Sequence, residues 1–274
     1  EFTQLGVLSY FDSIRREIIK QSWSVPMAIL TGSLVILPTS AKESLEALIP
    51  KDRLSYDTIG KLNKNDYLKV NVSGSHHDLV TDLTQLFQEG HIQVVIGTKS
   101  LLGEGWDAPC VNSLILASFV GSFMLSNQMR GRAIRVWPDN PNKTSNIWHL
   151  VSINLSPRKW LETQDDKEKY DETLELQLYA LSPDLDLLDR RMTQFLGLHY
   201  QEPTIESGID RLDLNQITFS RKGLEKLNQK AITLSQKREE LKDRWQEALP
   251  LYEEMEVVTQ VEVDKQFLPL AYLN

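Results

Sequence analysis

Two arginines three residues apart, in the stretch QMRGRAIR (128–135), are the side chains best suited to chemistry in this sequence. Residues three apart share one face of a helix, so Arg132 and Arg135 are predicted to point in the same direction. A guanidinium stays charged and binds phosphate oxygens through two parallel hydrogen bonds. The pair therefore predicts a site that binds a phosphate group, and the ordinary alternative is a solvated basic helix end.

A glycine-rich break, GTKSLLGEGWDAP (97–109), lies between two apolar runs and precedes the arginines. Ligands of a parallel sheet bind outside the carboxyl ends of its strands, so a break directly after the run IQVVI is predicted to lie at the functional edge. Gly105 lets a ligand approach the main chain closely, and Asp107 offers acceptor oxygens suited to a ribose hydroxyl. A simple strand-end loop, in which the aspartate forms a turn, is the alternative interpretation.

The elements that would position these residues alternate between strand and helix before residue 155. Apolar runs predict strands at 33–38, 67–72, 92–97, 112–118 and 146–153, and helices are predicted through AKESLEALI, HDLVTDLTQLFQEG and SFMLSNQMRGRAIR. Gly90 is predicted to end the second of these helices in a left-handed conformation. Continuously apolar strands that alternate with helices are typical of an α/β fold with a parallel sheet covered by helices on both faces.

Helical patterns flank this region on both sides. The apolar face of a leading helix is predicted to consist of Tyr10, Ile14, Ile18 and Ile19. After residue 155, Ser182 and Pro183 predict the start of a helix as its N-cap and first-turn proline. A later apolar stripe at 224–248 is expected to end at Pro250. We therefore predict a leading helix and linker at 1–26, the α/β domain at 27–155 and a mainly helical extension at 156–274.

Composition and charge restrict the class of protein. The 274 residues are 41% hydrophobic and 25% charged, which is ordinary for a globular protein, and no apolar run is long enough to span a bilayer. The net charge of −8 argues against a surface coated for nonspecific nucleic-acid binding, but residues 91–135 carry four bases and two acids. A polyanion would avoid residues 162–191, which carry ten acids and four bases. The single cysteine, Cys110, is expected to be a buried structural thiol, and a cytoplasmic location is expected.

The two motifs together resemble those of a known family. TKSLLGEGWDAP is similar to motif V, and QMRGRAIR to motif VI (Q-x-x-G-R-x-x-R), of superfamily 2 helicases and translocases, in the same order. The resemblance covers residues 27–155 and implies the second RecA-like domain of such a protein, with SLVILPTS as motif IV. The Glu-Gly-Trp-Asp form is most like that of restriction-type and excision-repair-type members. It is less like the DEAD-box RNA helicases, whose motif VI usually opens with His where Gln128 stands here.

This resemblance implies a role in ATP hydrolysis for each matching residue. Arg132 and Arg135 would contact the γ-phosphate of ATP, one of them as the arginine finger that stabilises the transferring phosphoryl group. Gln128 would help to organise that interface. Three further residues would bind the nucleotide, namely Gly105, Asp107 and Gly131.

The same resemblance implies contacts to a nucleic-acid strand. Hydroxyl, amine and backbone groups would hold its phosphates at Thr98, Lys99, Thr39, Ser40 and Ser75. DNA is favoured over RNA by the restriction-type form of the motif, whereas the residues themselves leave both open. Trp106 could stack on a base, but its place inside the turn favours packing.

Half of an ATPase site is missing from the sequence. No G-x-x-x-x-G-K-[ST] loop occurs, and DETL (171–174) is rejected as a magnesium-binding box because no apolar strand precedes it. The start at Glu1 rather than Met favours a fragment of a longer protein. We therefore expect a first RecA-like domain of the same polypeptide to bind most of the triphosphate and Mg²⁺, no membrane partner, and no ATP hydrolysis by this chain alone.

Two other functions remain open from the residues. A nucleotide-sugar domain of a glycosyltransferase also has a glycine-rich turn, but it would lack the paired arginines of QMRGRAIR. A non-catalytic RecA-like interaction module is disfavoured because the motif VI residues are intact. No metal site is predicted, since the adjacent His76 and His77 cannot easily present two ligands to one ion.

Overall fold

The structure, a computed structural model, describes residues 6–59, 66–73, 76–98, 106–117, 123–153, 182–199, 201–209, 211 and 220–254. The chain divides into two compact units, Glu1–Trp148 and His149–Asn274. The first begins with α1 (Val7–Lys20), β1 (Met27–Leu30), β2 (Val35–Pro38), a 3₁₀ turn (Thr39–Ala41), α2 (Lys42–Leu48), a second 3₁₀ turn (Lys51–Arg53), β3 (Leu54–Thr58) and β4 (Tyr67–Val72). It continues with α3 (His76–Gln88), β5 (Val94–Gly97), β6 (Ser113–Leu116), α4 (Phe123–Ala133) and β7 (Asn146–His149).

Five of these strands form one sheet in the order β3-β4-β2-β1-β5. Within it β1 and β5 are parallel, and the other three neighbouring pairs are antiparallel. The strands β6 and β7 pair with each other in a separate sheet. The structure is therefore an α/β fold with a mixed sheet, and the prediction of a parallel sheet was wrong.

Two short connections explain two of the three antiparallel pairs, β1–β2 and β3–β4. The register pairs Leu30 with Val35, and the turn between them is closed by the N–H of Thr31, which donates to the carbonyl of Leu34 at 2.9 Å. The strands β3 and β4 are joined by residues 59–66, and a parallel connection needs about a dozen residues or more. Neither hairpin was predicted, because β1 and β3 are not among the strands predicted from the sequence.

The strands β1 and β2 are buried on both faces of the sheet. On one face, Leu30 and Leu37 pack in a cluster with apolar residues of α2 and α3. On the other face, Met27 and Ile36 pack with Phe11 of α1. The prediction of helices on both faces is therefore confirmed, although the sheet between them is mixed.

The buried face of α1 differs from the predicted one. Phe11 is buried, and its ring meets the ring of Tyr67 edge-on at 4.9 Å between centroids. Ile18 packs against the same cluster, whereas Ile14 and Ile19 are 37% and 58% exposed. The difference arises because the line along which a helix crosses a sheet selects the buried face, and helical periodicity alone does not give that line.

The second unit contains α5 (Pro183–Met192), β8 (Leu196–Leu198), β9 (Ile205–Ser207), α6 (Arg221–Gln236) and α7 (Glu240–Glu254). The strands β8 and β9 form an antiparallel pair that the sequence analysis did not predict. The apolar stripe at 224–248 is divided between two helices rather than lying on one. Within the described parts of the chain, no helix combines the length and the apolar character needed to cross a bilayer.

Helix-end signals were partly correct. Gly90 has φ of +83°, which confirms the predicted left-handed end after α3. Ser182 caps α5 as predicted, because its hydroxyl accepts the N–H of Leu185 at 3.1 Å and Pro183 occupies the first turn. Pro250, in contrast, lies inside α7 and does not end it.

Candidate functional site

Asp107 and Arg135, 28 residues apart in the chain, form an ion pair in the first unit. The donor is Nη1 of Arg135 and the acceptor is Oδ1 of Asp107. The side chains are 51% exposed for Arg135 and 67% exposed for Asp107, so water or a ligand reaches both. The glycine-rich break and the arginine stretch, which are separate motifs in the sequence, thus meet in space.

Arg132 lies close to this ion pair. Burial lowers the pKa of its guanidinium, the positive charge of Arg135 lowers it further, and the negative charge of Asp107 raises it. The charges of both neighbours therefore act on the guanidinium of Arg132. These three residues are named the arginine cluster below.

The two arginines come together by a different route from the predicted one. The helix α4 ends at Ala133, and the last helical bond joins the N–H of Ile134 to the carbonyl of Arg130 at 3.2 Å. Arg132 is on the helix, but Arg135 lies in the turn that follows, so the prediction of a shared helical face was wrong. Arg135 therefore reaches Asp107 from this turn and not from the helix.

Packing of α4 fixes the position of Arg132. Met129 and Ala133, four residues apart on the helix, are both buried. Ala133 packs in one cluster with Trp106 and Val111, which belong to the segment that carries Asp107. The inner face of α4 therefore rests directly on that segment.

Trp106 attaches the start of this segment to α3. Its indole Nε1 donates to the hydroxyl of Thr84 at 2.8 Å, and that hydroxyl donates in turn to the carbonyl of Val80 at 2.7 Å. Its ring lies 6.3 Å from the ring of Phe87. The preference for packing over base stacking is confirmed, and the buried Trp106 leaves the next residue, Asp107, turned towards solvent.

Lys143 joins the same segment to the end of α4, and the sequence analysis missed it. Its Nζ donates to the carbonyls of Pro109 at 2.6 Å, Val111 at 2.9 Å and Ala133 at 2.9 Å. The hydroxyl of Ser145 also donates to the carbonyl of Ala133. Because Lys143 lies in a polar stretch, PDNPNKTS, that reads as an ordinary loop, no signal in the sequence distinguishes it from a solvated lysine.

Two further predicted site residues, Gln128 and Gly131, lie on α4. Gln128 is exposed, so packing in the core does not require a glutamine at this position. A Cβ added to Gly131 would meet no atom within 4 Å among the described residues. A glycine inside a helix costs about 0.5–1 kcal/mol relative to alanine, and here no packing contact of the described chain accounts for that cost.

The residues expected to hold a nucleic-acid strand fall at two different edges. Thr98 follows β5, whereas Thr39 and Ser40 follow β2. The strand β1 runs parallel to β5 and antiparallel to β2, so the carboxyl ends of β2 and β5 point to opposite edges of the sheet. The structure therefore does not bring Thr39 and Ser40 together with Thr98. The hydroxyl of Thr39 is buried and has no hydrogen-bond partner among the described residues.

Several predicted positions lie outside the described residues. These are Lys99, Ser75 and Gly105, together with the acidic segment DETL at 171–174. Burial raises the pKa of the Cys110 thiol, in agreement with a structural role for this side chain. In the part of the chain that the structure describes, no group of three or more His, Cys, Asp and Glu side chains is arranged to hold a metal ion.

The fold and the site define an α/β protein whose first unit carries a carboxylate and two guanidinium groups beside a buried tryptophan. No protein-family model, curated protein or solved structure matches this chain. The argument for a function therefore depends on the geometry of the arginine cluster and on the sequence motifs that contribute to it.

Proposed function

We propose that this chain supplies the second motor domain of an ATP-dependent nucleic-acid helicase or translocase, in which Arg132 and Arg135 bind the phosphates of the nucleotide. The observation that supports this proposal is the ion pair between Asp107 and Arg135, next to Arg132. A solvated basic helix end requires no particular partner. Here two motifs that resemble motifs V and VI meet through their charged side chains.

The electrostatics of the arginine cluster favour an added anion. Burial lowers the pKa of the Arg132 guanidinium, and the positive charge of Arg135 lowers it further. A phosphate bound here would meet two guanidinium groups. An exposed ion pair contributes about 0–1 kcal/mol, so a phosphate can displace Asp107 from Arg135 at little cost. A γ-phosphate bound by both arginines would receive charge stabilisation as the phosphoryl group transfers.

The other half of this site is assigned to a first RecA-like domain of the same polypeptide, which would bind most of the triphosphate and Mg²⁺. An interdomain site needs surface that the partner domain covers. Ile134 and Val136, on either side of Arg135, are 65% and 79% exposed. Apolar side chains next to a charged site are typical of surface buried on domain closure.

The nucleic-acid strand, with DNA favoured over RNA, is assigned to the sheet edge at which β5 ends. Thr98 lies there, and the segment 91–135 has an excess of bases. The carboxyl end of β4 points to this same edge. Both β4 and β1 are antiparallel to β2, so β4 has the same direction as β1 and β5. Thr39 and Ser40 would contact a strand only at the opposite edge.

The test is nucleic-acid-stimulated ATP hydrolysis by the longer polypeptide that contains this chain. Arg132→Ala and Arg135→Ala are each expected to reduce turnover by about 10³ to 10⁵, the value of an arginine finger in related phosphoryl transfers. Arg16→Ala is the matched control, because Arg16 is also exposed and paired with an aspartate, Asp12, at 2.6 Å on α1. Turnover that is equal in all three variants would contradict the proposed function.

A further inference from the structure

We infer that Lys143 is the positioning residue of the arginine cluster, which sets the separation between Asp107 and the two arginines. The catalytic consequence of this inference rests on the proposed function, whereas its structural part does not. Lys143 contacts neither Asp107 nor Arg135 in the bonds described above. It acts on the backbone that carries them.

The three carbonyls bound by Lys143 come from the two segments that form the cluster. Pro109 and Val111 follow Asp107 in the loop, and Ala133 is the last residue of α4, directly after Arg132. An ammonium group has three N–H donors, and all three find an acceptor here. One side chain from a third segment therefore bonds to both the loop and the end of the helix and adds to the packing between them.

The environment of Lys143 shows that this position is not an ordinary surface site. Burial lowers the pKa of its ammonium group, so the charge is kept at some cost in solvation. That cost is offset by the bonds to the carbonyls and by the position of the charge at the carboxyl end of α4, where the helix dipole favours a cation. An apolar side chain of the same length would lose these interactions and leave three carbonyls without this donor.

The consequence for the arginine cluster follows from geometry. Arg135 lies two residues beyond Ala133, and Asp107 lies two residues before Pro109. Each charged side chain is thus attached to the backbone within two residues of a carbonyl that Lys143 holds. Without Lys143 the loop and the helix end lose these bonds and keep the packing of Ala133 against Trp106 and Val111, which restrains their carbonyls less closely.

Hydrogen–deuterium exchange of this chain tests the structural part. Lys143→Met is expected to speed exchange in peptides covering both 106–117 and 126–136, while peptides covering β1 and β2 keep the rate of the parent. Ser145→Ala is the matched control, because Ser145 also donates to Ala133 but not to the loop. This variant is expected to affect the helix end alone. Equal changes in every peptide, or none at 106–117, would overturn the inference.

Kinetics of the longer polypeptide test the consequence for catalysis. Lys143→Met is expected to lower kcat for ATP by about 10- to 100-fold, the effect of misplacing a catalytic group by about 1 Å, with KM little changed. In the Arg135→Ala background the same substitution should cause a smaller loss than in the parent, limited to the displacement of Arg132, because Lys143 acts through the cluster. Additive losses would show that Lys143 is merely structural and would overturn the inference.

The two proposals fail in distinguishable ways. If Arg132→Ala and Arg135→Ala leave turnover unchanged, the proposed function fails, while the exchange experiment still decides the role of Lys143. If those variants lose turnover but Lys143→Met changes neither exchange nor kcat, only the inference about Lys143 fails. Lys143→Arg provides a variant that keeps the charge, and its planar fork is expected to satisfy fewer of the three carbonyls and to give an intermediate kcat.

Discussion

Replacing Gly131 by alanine is expected to move stability and activity in opposite directions. Gly131 lies inside α4, next to Arg132, and the described structure leaves open space where its Cβ would be. Alanine therefore fits the folded chain without a clash. If the open space is the place of a bound phosphate, however, the added methyl group would obstruct the ligand.

The magnitude of the stability change follows from helix propensity. Alanine is favoured over glycine in a helix interior by about 0.5–1 kcal/mol, because glycine loses more backbone entropy on folding. For a unit of this size, that gain corresponds to an increase in Tm of about 1–4 °C. The activity should fall by at least about tenfold, which is about 1.4 kcal/mol of lost transition-state binding.

The assay combines thermal unfolding of this chain with ATP hydrolysis by the longer polypeptide proposed above. Gly32→Ala is the matched control, because Gly32 also has open space around a Cβ but lies in the turn between β1 and β2. It is expected to leave turnover unchanged. A Gly131→Ala protein with the higher Tm and with turnover within about twofold of the parent would refute a ligand at this face of α4.

Three further predictions concern the same unit. Arg135→Lys keeps the charge but not the planar fork, so its ATP turnover in the longer polypeptide is expected to lie closer to that of Arg135→Ala than to the parent; turnover equal to the parent would contradict phosphate binding by two parallel hydrogen bonds. In salt titrations, this chain is expected to bind single-stranded DNA weakly and with strong salt dependence. Lys99→Glu should abolish this binding, and Glu175→Lys should not. The reverse pattern would show that the proposed position of the DNA strand is wrong. Trp106→Phe is expected to lower the free energy of unfolding by about 1–3 kcal/mol in urea denaturation, because it removes the bond to Thr84 at 2.8 Å from a buried site; no loss would contradict the role of Trp106 as an attachment to α3.

Some local features of the fold were predictable from the sequence, and the pairing and direction of the strands were not. The strand at 67–72 and the left-handed Gly90 were predicted correctly, because each depends on a short run of side chains. The direction of the strands was not predicted, because the turn Thr31–Leu34 contains only one glycine and gives no clear hairpin signal. A single Gly between apolar runs does not distinguish a hairpin from a strand-end loop.

The candidate site was predictable in its residues but only partly in its arrangement. Arg132, Arg135 and Asp107 were singled out by type and spacing, and the structure brings their charges together. That Arg135 belongs to a turn beyond α4 could not be read from spacing, since the helical pattern continues through it. Lys143 could not be found at all, because its role depends on three carbonyls that meet only after folding.

The mixed sheet also fixes the order in which this unit is expected to fold. The hairpins β1–β2 and β3–β4 join neighbours in sequence, and such local pairs form early because little loop entropy is lost. The strand β5 pairs with β1 across more than 60 residues and therefore docks late. Since the chain reaches Asp107 ten residues after the end of β5, the arginine cluster is expected to form only when that last strand is in place. A chain that stops short of this step has most of its sheet but lacks the ion pair between Asp107 and Arg135.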